Sequence, residues 1–235
     1  MENSSSKAVI MVGGVGSRLR PFTHAIPKPL LPIGKKPLLQ IIVERLNNCG
    51  FSELFLSTGY GEELIKAYFR NGKKYGVRIK YVTEERPLGT VGALRYLEAE
   101  LDEDFLFMNG DLLTKADFGK MYEFHKEHKP TLTVGVKSYD VDIPYGVLTT
   151  KNLEVVGVQE KPKHCCLINA GIYIASPKML SYVPKGEKLD VTDLMKILLE
   201  KKEKVVTYKI EEYWLDIGRI DDFAAASNSF DQLGF

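Results

Sequence analysis

The stretch KAVIMVGGVGSRLRP, residues 7–21, decides the fold. Residues 7–12 form a short, apolar run rich in β-branched side chains, which is typical of a fully buried strand. Gly13 and Gly14 follow at once. A glycine turn at the carboxyl end of a parallel strand lets backbone N–H groups approach phosphate oxygens closely. The stretch therefore predicts a buried first strand that runs into a phosphate-binding loop.

The loop matches neither of two well-known phosphate loops. A dinucleotide fingerprint needs a glycine where Leu19 stands, and a Walker A loop needs Gly-Lys-Ser/Thr, which occurs nowhere in the chain. Arg18, Arg20 and Lys28 lie in or soon after the glycines instead. Three cations beside a glycine turn favour a triphosphate ligand, although Arg20 is equally suited to a structural salt bridge.

Downstream of the loop, apolar runs alternate with segments of helical spacing. The predicted strands of the first half are residues 7–12, 53–58, 77–82 and 104–109, and the predicted helices run from Pro37 to before Gly50 and over residues 62–71, 90–101 and 118–128. Such alternation predicts βαβ units. We therefore expect an α/β fold with a Rossmann-like, mostly parallel sheet and helices on both faces.

The second half changes to strands with few helices between them. The predicted strands are residues 131–138, 145–150, 153–158, 168–175 and 204–210, and the predicted helices are residues 176–182, 191–202 and a last one from about 220. We interpret the first four strands as a small antiparallel lobe over the sheet edge. After a polar tail (1–6), we expect one domain (7–235), with a nucleotide half (about 7–130) and a sugar-phosphate half (about 131–235).

Bulk composition narrows the class of protein. The chain carries 32 basic and 31 acidic residues, a net charge of +1, which argues against nucleic-acid or membrane-surface binding. The sequence shows neither a membrane-spanning run nor a signal peptide, and its three cysteines make no disulfide framework. We therefore expect a cytoplasmic protein. Cys165 and Cys166 are predicted to lie in a variable loop, and His125 and His128 on a solvated helix face.

Ordered motifs along the whole chain resemble those of the sugar-1-phosphate nucleotidylyltransferases. Ser17 and Phe22 stand where that pattern usually has threonine and leucine, and both replacements are conservative. Within the family the chain is most similar to short bacterial guanylyltransferases of the mannose-1-phosphate or glucosamine-1-phosphate type. The motifs are GGVGSRLRP (13–21), KPLLPIGKKPLL (28–39), LGTVGAL (88–94), MNGD (108–111), YGV (145–147), EKP (160–162), NAGIY (169–173) and WLDIG (214–218).

The resemblance implies transfer of a nucleoside monophosphate, GMP for preference, from a nucleoside triphosphate such as GTP to a sugar 1-phosphate. The products would be pyrophosphate and a nucleotide sugar for cell-surface glycan or glycoconjugate synthesis. It also allows a homodimer. Uridylyl, thymidylyl and cytidylyl transfer, or a non-catalytic sugar-nucleotide sensor, remain alternatives. A metal-dependent glycosyltransferase is disfavoured, because it would need an Asp-x-Asp motif where MNGDLL has a single aspartate.

Matching motif positions suggest roles for individual residues. The expected catalytic residues are Arg18, Lys28, Asp111, Lys161 and Asp216. The expected nucleotide-binding residues are Gly13, Gly14, Gly16, Ser17, Arg18, Lys28, Gly89, Thr90 and Asp111, and the expected sugar-phosphate residues are Gly146, Glu160, Lys161 and Asn169. Asp111 and Asp216 are the expected ligands of Mg²⁺.

Physical chemistry supports the acidic members of this set but leaves alternatives open, and on the sequence alone the EKP triplet that contains Glu160 and Lys161 is also a common turn. Asp111 follows a buried strand, at the edge where open α/β sheets bind ligands. Asp216 lies in an apolar setting, where a carboxylate is costly unless it is paired or metal-bound. Each could instead cap a helix or accept backbone hydrogen bonds, and Thr90 could be a helix N-cap. Trp214 is more typical of a core position than of a stacking surface.

Overall fold

The computed structural model describes residues 6–84 and 86–235, without the side chain of Asp231. The predicted tail therefore lies outside the described residues except for Ser6, which begins the first strand. None of the helices within these ranges is both long and apolar enough to cross a membrane.

Regular elements follow the predicted alternation. The strands are β1 (Ser6–Met11), β2 (Pro32–Ile33), β3 (Lys36–Pro37), β4 (Phe51–Thr58), β5 (Arg78–Thr83), β6 (Phe105–Asn109), β7 (Leu112–Thr114), β8 (Leu132–Asp142), β9 (Val147–Lys151), β10 (Glu154–Gln159), β11 (Lys163–Ala175), β12 (Val205–Lys209) and β13 (Trp214–Asp216). The α-helices are α1 (Leu38–Asn48), α2 (Glu62–Phe69), α3 (Phe118–His128), α4 (Val191–Glu200) and α5 (Ile220–Leu233).

A central sheet of seven strands in the order β12-β8-β11-β6-β1-β4-β5 organises the chain. All neighbouring pairs are parallel except those of β11, which runs antiparallel to both β6 and β8. The expected mostly parallel sheet is thus confirmed. The carboxyl ends of β1, β4 and β6 meet at one edge, and the loops that follow these strands build the site.

Side chains of β1 alternate between two cores on opposite faces of the sheet. Ala8 and Ile10 belong to the core covered by α1, α2, α3 and α5, whereas Val9 belongs to the core covered by α4. Each fully buried Leu or Ile side chain stabilises such a core by about 1.5–3 kcal/mol. Helices on both faces are therefore confirmed, and they hold the strand ends at fixed positions.

The predicted lobe is smaller than expected. Residues 131–138 and 168–175 were assigned to it, but these parts of β8 and β11 belong to the central sheet. The lobe consists of the outer halves of those strands and the separate β9–β10 hairpin. The loop prediction for Cys165 and Cys166 is wrong, because both lie in β11, opposite Asp140 and Tyr139. Exposure of this outer half removes the apolar signal that marks a strand.

Other local predictions also need correction. The segments predicted as helices over 90–101 and 176–182 form 3-10 helices, Gly92–Leu97 and Pro177–Tyr182. His125 is buried rather than solvated, with its Nδ1 2.8 Å from the Thr133 hydroxyl oxygen. The hydrogen bond offsets the free-energy cost of burying the imidazole. Helical periodicity alone does not reveal that His125 has such a partner.

Candidate active site

Glycines bring two strand ends into backbone contact at the start of the site. A Cβ added to Gly13 would lie 3.3 Å from the backbone nitrogen of Gly59, and the Tyr60 N–H donates to the Gly13 carbonyl at 3.3 Å. The loop after β1 is therefore seated on the loop after β4. Gly14 faces open space, since a Cβ there would meet no atom within 4 Å. That opening lets a ligand approach the backbone closely.

Gly16 turns the loop back towards Lys28. Its φ of +66° lies in the left-handed region, and an added Cβ would lie 3.0 Å from Thr23 Cγ2 and 3.1 Å from Lys28 Cβ. The Thr23 hydroxyl donates to the Gly16 carbonyl at 2.9 Å. Ser17 and Arg18, both exposed, begin the 3-10 turn that Leu19 anchors in the core. The loop thus presents Arg18 to solvent while packing against the lysine stem.

Lys28 forms an ion pair with Asp111 across 83 residues of sequence. The lysine side chain is 11% exposed and the aspartate side chain 28%, so the pair is largely desolvated. Lys28 Nζ donates to Asp111 Oδ2, whereas Asp111 Oδ1 is buried and has no hydrogen-bond partner in the described part of the chain. A buried carboxylate oxygen without a partner is costly, which makes it a free ligand position.

Pairing of β7 with β13 brings the two predicted metal ligands together. Leu112 pairs with Asp216, and the Ile217 N–H donates to the Asp111 carbonyl at 3.0 Å. Although Asp216 is exposed overall, partial loss of hydration and the neighbouring Asp111 charge raise the pKa of its carboxyl. The positive charges of Lys28 and Arg18 lower that pKa. Two carboxylates and two cations therefore share one small region.

The NAG motif is attached to the same region. The Trp214 indole donates from Nε1 to the Ala170 carbonyl at 2.8 Å, which ties β13 to β11. Trp214 is partly buried against the core. Asn169 Oδ1 accepts from the Gly171 N–H at 3.0 Å. Gly171 has a φ of +69°, and an added Cβ would lie 2.7 Å from Asn109 Nδ2. Asn169 is thereby placed near the end of β6.

A cleft of about 570 Å³ opens between these elements. Its size falls within the usual range for small-molecule sites, roughly 300–1,000 Å³. Six of the predicted nucleotide-binding residues line it: Gly13, Gly14, Lys28, Gly89, Thr90 and Asp111. Gly16 does not line the cleft but packs against Lys28. Ser17 and Arg18 are not part of its lining. The Arg18 guanidinium Nη1 would lie 3.4 Å from a Cβ at Gly218, which places it beside Asp216.

Sequence reasoning missed several cleft residues, most notably Glu84. Its carboxylate is held from two sides, because Ser57 Oγ donates to Oε1 at 2.6 Å and the Leu88 N–H donates to Oε2 at 2.9 Å. Each oxygen keeps a second lone pair for a ligand. The signal was present, since Glu84 lies two residues after the third predicted strand (77–82) and precedes the LGTVGAL motif. Asn109, Lys188 and Asp190 line the cleft as well.

Three of the predicted sugar-phosphate residues lie on the lobe. A Cβ at Gly146 would lie 3.1 Å from Glu160 Oε2, so these two residues are neighbours. Lys161 has a φ of +45°, which is unusual for a residue with a side chain. Its side chain is exposed, and among the described residues it makes no hydrogen bond or ion pair. Lys161 is thus available to a ligand but is not connected to the cleft by any such contact.

Together, a glycine-rich loop at a parallel strand end, a desolvated lysine and a pair of carboxylates define a protein that binds a phosphorylated nucleotide. Residues 7–232 match the model of the nucleotidyl transferase family. The chain therefore belongs to this family and is an enzyme of it. Members of the family typically use a divalent metal ion.

Individual relatives resemble most of the chain. The chain is 37% identical over 224 residues to the D-glycero-alpha-D-manno-heptose 1-phosphate guanylyltransferase of Aneurinibacillus thermoaerophilus, covering 94% of this chain and 96% of that one. It is 32% identical to the UTP–glucose-1-phosphate uridylyltransferase of Synechocystis, covering 92% of this chain and 61% of the relative. The structure of HddC from Yersinia pseudotuberculosis complexed with GMP-PN has a TM-score of 0.73 and 26% identity, and the match covers 96% and 99% of the two chains.

Proposed function

We propose that this enzyme transfers GMP from GTP to a sugar 1-phosphate and releases pyrophosphate. The observation that carries the proposal is the desolvated Lys28–Asp111 pair beside Asp216, at the end of a cleft that begins with the glycine loop. A glycine loop with a buried cation suits the triphosphate. The nucleotide half (7–130) would hold GTP, and the sugar-phosphate half (131–235) would hold the acceptor.

The chemistry needs positioning and charge neutralisation more than proton transfer. A sugar phosphate is largely dianionic at pH 7, because the second pKa of a phosphomonoester is about 6. One of its oxygens attacks the α-phosphorus of GTP, and the bond from that phosphorus to the bridging oxygen of the β-phosphate breaks. Pyrophosphate leaves with both bonding electrons. Lys28 and Arg18 would neutralise the triphosphate, so that two polyanions can approach each other.

Asp111 and Asp216 fit a divalent cation, which we take to be Mg²⁺. Oxygen atoms, carboxylates among them, are the ligands that Mg²⁺ prefers; Asp111 lines the cleft, and its unpartnered Oδ1 offers one. Burial and the neighbouring Asp111 charge raise the pKa of the Asp216 carboxyl, and a bound cation would favour its ionised form. When bound, the ion would supply charge stabilisation for the transferring phosphate groups.

Glu84 supports guanine as the base. An ionised carboxylate only accepts hydrogen bonds, and guanine presents two adjacent donors, N1–H and the N2 amino group, whereas uracil presents one. We expect Glu84→Gln to raise the KM for GTP by about 10-fold or more, the scale of one lost charge-assisted hydrogen bond. Steady-state kinetics with GTP and UTP measure the change in preference.

Glu63→Gln provides the matched control, because Glu63 is exposed on α2, away from the cleft lining. We expect it to leave both KM values unchanged. If Glu84→Gln affects GTP and UTP equally, Glu84 supports the fold of the loop and does not select the base.

Lys161 is proposed to neutralise the incoming sugar phosphate. Lys161→Ala should lower kcat/KM for the sugar 1-phosphate by roughly 10- to 150-fold, because one charge-assisted contact is lost. Affinity for GTP, measured by calorimetry, should stay within about a few-fold of wild type, since the lysine lies on the lobe. Glu160, Gly146 and Asn169 would face the hydroxyl groups of the sugar.

Lys163→Ala is the control for charge loss on the lobe. Lys163 is exposed in the same segment and pairs with Asp142 at 3.3 Å. We expect near wild-type kinetics from this variant, because exposed ion pairs contribute little. If Lys161→Ala lowers the affinity for GTP as much as it lowers kcat/KM for the sugar 1-phosphate, Lys161 is a structural residue and its assignment is overturned.

Pyrophosphate release tests the proposed substrates directly. We expect turnover to be highest with GTP in a panel of the four common ribonucleoside triphosphates and thymidine triphosphate, each paired with several hexose and heptose 1-phosphates. A preference for UTP would favour the uridylyltransferase alternative, and release with none of them would favour a non-catalytic sensor.

The cellular setting belongs to the same proposal. We infer a cytoplasmic enzyme that supplies nucleotide sugars for cell-surface glycans or glycoconjugates, since the described cysteines are free.

We also propose a homodimer. Leu148, Val155 and Val158 share one face of the β9–β10 hairpin and are each more than half exposed, which favours self-association.

A further inference from the structure

Two segments about 100 residues apart are interlocked at the wall of the cleft. The Thr90 N–H donates to Asp190 Oδ1 at 3.1 Å, and the Val191 N–H donates to Thr90 Oγ1 at 2.7 Å. Each segment thus binds the other through one side chain and one backbone group. We call residues 88–91 and 189–191 together the clasp.

Backbone contacts complete the clasp. The Leu189 N–H donates to the Leu88 carbonyl at 2.9 Å, and the Val91 N–H donates to the Leu189 carbonyl at 3.1 Å. Gly89 has a φ of +75°, and an added Cβ would lie 2.5 Å from the Leu189 oxygen and 2.7 Å from Asp190 Oδ1. Only glycine fits such a conformation at this separation. The two segments therefore touch through main-chain atoms, with no room for a side chain at Gly89.

The clasp connects a loop to a rigid helix. Residues 86–91 form neither helix nor strand, so the loop depends on its neighbours for a fixed position. Asp190 immediately precedes α4, whose Leu194 and Leu198 are fully buried in the second core. Gly89, Thr90 and Asp190 all line the cleft. A displacement of Asp190 would therefore be transmitted to the cleft wall.

We propose that Asp190 is a positioning residue for nucleotide binding. Its carboxylate accepts a hydrogen bond from the Thr90 N–H and so holds the backbone of residues 89–90 in position beside the nucleotide. The acceptor oxygen, rather than the charge, is the feature required, because the Thr90 N–H needs a single oxygen. This inference rests on the proposed function, since it assigns the wall to the nucleoside part of GTP.

Comparing two substitutions at Asp190 tests the inference. Asp190→Ala should weaken GTP binding, measured by calorimetry without the sugar phosphate, by about 10-fold, the scale of leaving one backbone N–H without its acceptor. The KM for GTP should rise in parallel, while kcat and the KM for the sugar 1-phosphate stay within about threefold. Asp190→Asn should restore most of the affinity, because its amide oxygen still accepts from the Thr90 N–H.

Asp193→Ala is the matched control. Asp193 is exposed in the first turn of the same helix and pairs with Lys196 at 2.8 Å, so its loss changes the helix N-terminus without touching the clasp. We expect its GTP affinity to equal that of wild type. Any of three results would overturn the inference. The Asp190→Ala variant could bind GTP as tightly as wild type, or its KM values for GTP and for the sugar 1-phosphate could rise equally. The Asp190→Asn variant could also bind GTP as weakly as the alanine variant. A wild-type enzyme that binds no nucleoside triphosphate would instead overturn the proposed function, and the inference with it.

Discussion

Asp111→Asn is expected to lower kcat by at least about 10²-fold, the scale of losing one main electrostatic stabiliser. The asparagine keeps the volume of the side chain but loses the charge that pairs with Lys28. It also leaves a weaker oxygen at the buried, unpartnered Oδ1 position. We therefore expect divalent-ion affinity, measured by Mn²⁺ titration in the presence of nucleotide, to fall together with kcat. Asp216→Asn should behave in the same way.

The control for Asp111 is Asp102→Asn, which removes a carboxylate from an exposed ion pair with Lys7. Such pairs contribute little, so kcat and Mn²⁺ affinity should be unchanged. Wild-type turnover by Asp111→Asn in the presence of EDTA would remove Asp111 from the proposed metal site.

Lys28→Met should produce the second large effect. Methionine approximates the length of the lysine stem without its charge, so the triphosphate loses its buried cation. We expect kcat/KM for GTP to fall by roughly 10- to 150-fold, and the affinity for pyrophosphate in the reverse reaction to fall similarly. Stability should also fall, because Asp111 is left as a largely buried charge without its partner.

A double-mutant cycle separates the two roles of Lys28. In thermal unfolding, Lys28→Met combined with Asp111→Asn should be no less stable than Lys28→Met alone, since the uncompensated charge is then absent. Lys35→Met is the control, because Lys35 is exposed at the β2–β3 turn. Wild-type affinity of Lys28→Met for both GTP and pyrophosphate would show that the lysine serves the fold alone.

Strong periodic patterns were sufficient to predict most of the architecture. The run at residues 7–12 and the amphipathic spacing after Pro37 gave a strand and a helix that the structure confirms. The β7–β13 pairing was missed, because three-residue strands carry no periodic signal. That pairing joins Asp111 to Asp216, so the contact most important for the proposed metal site was not predictable from local sequence.

The limits of the site prediction have a similar physical basis. The cations near the glycine loop and the family resemblance identified Lys28, Asp111 and Asp216 as candidates, and the structure brings these three together. It did not identify Glu84 or Asp190, whose contacts depend on partners elsewhere in the fold: Ser57 lies 27 residues from Glu84, and Thr90 lies 100 from Asp190. Thr90 does make a capping contact, but to α4 and not to the segment that follows it. A single sequence does not encode such long-range hydrogen bonds in any local pattern.

Nucleotidyl transfer at the α-phosphorus is the central claim, and the fate of each phosphate tests it most directly. GTP radiolabelled at the α-phosphorus is incubated with the enzyme, a divalent ion and a sugar 1-phosphate, in parallel with GTP labelled at the γ-phosphorus. The account predicts that the α-label appears in the nucleotide sugar and the γ-label in pyrophosphate, in equal amounts. A γ-label transferred to the sugar phosphate, or released as inorganic phosphate with GDP as the other product, would contradict it.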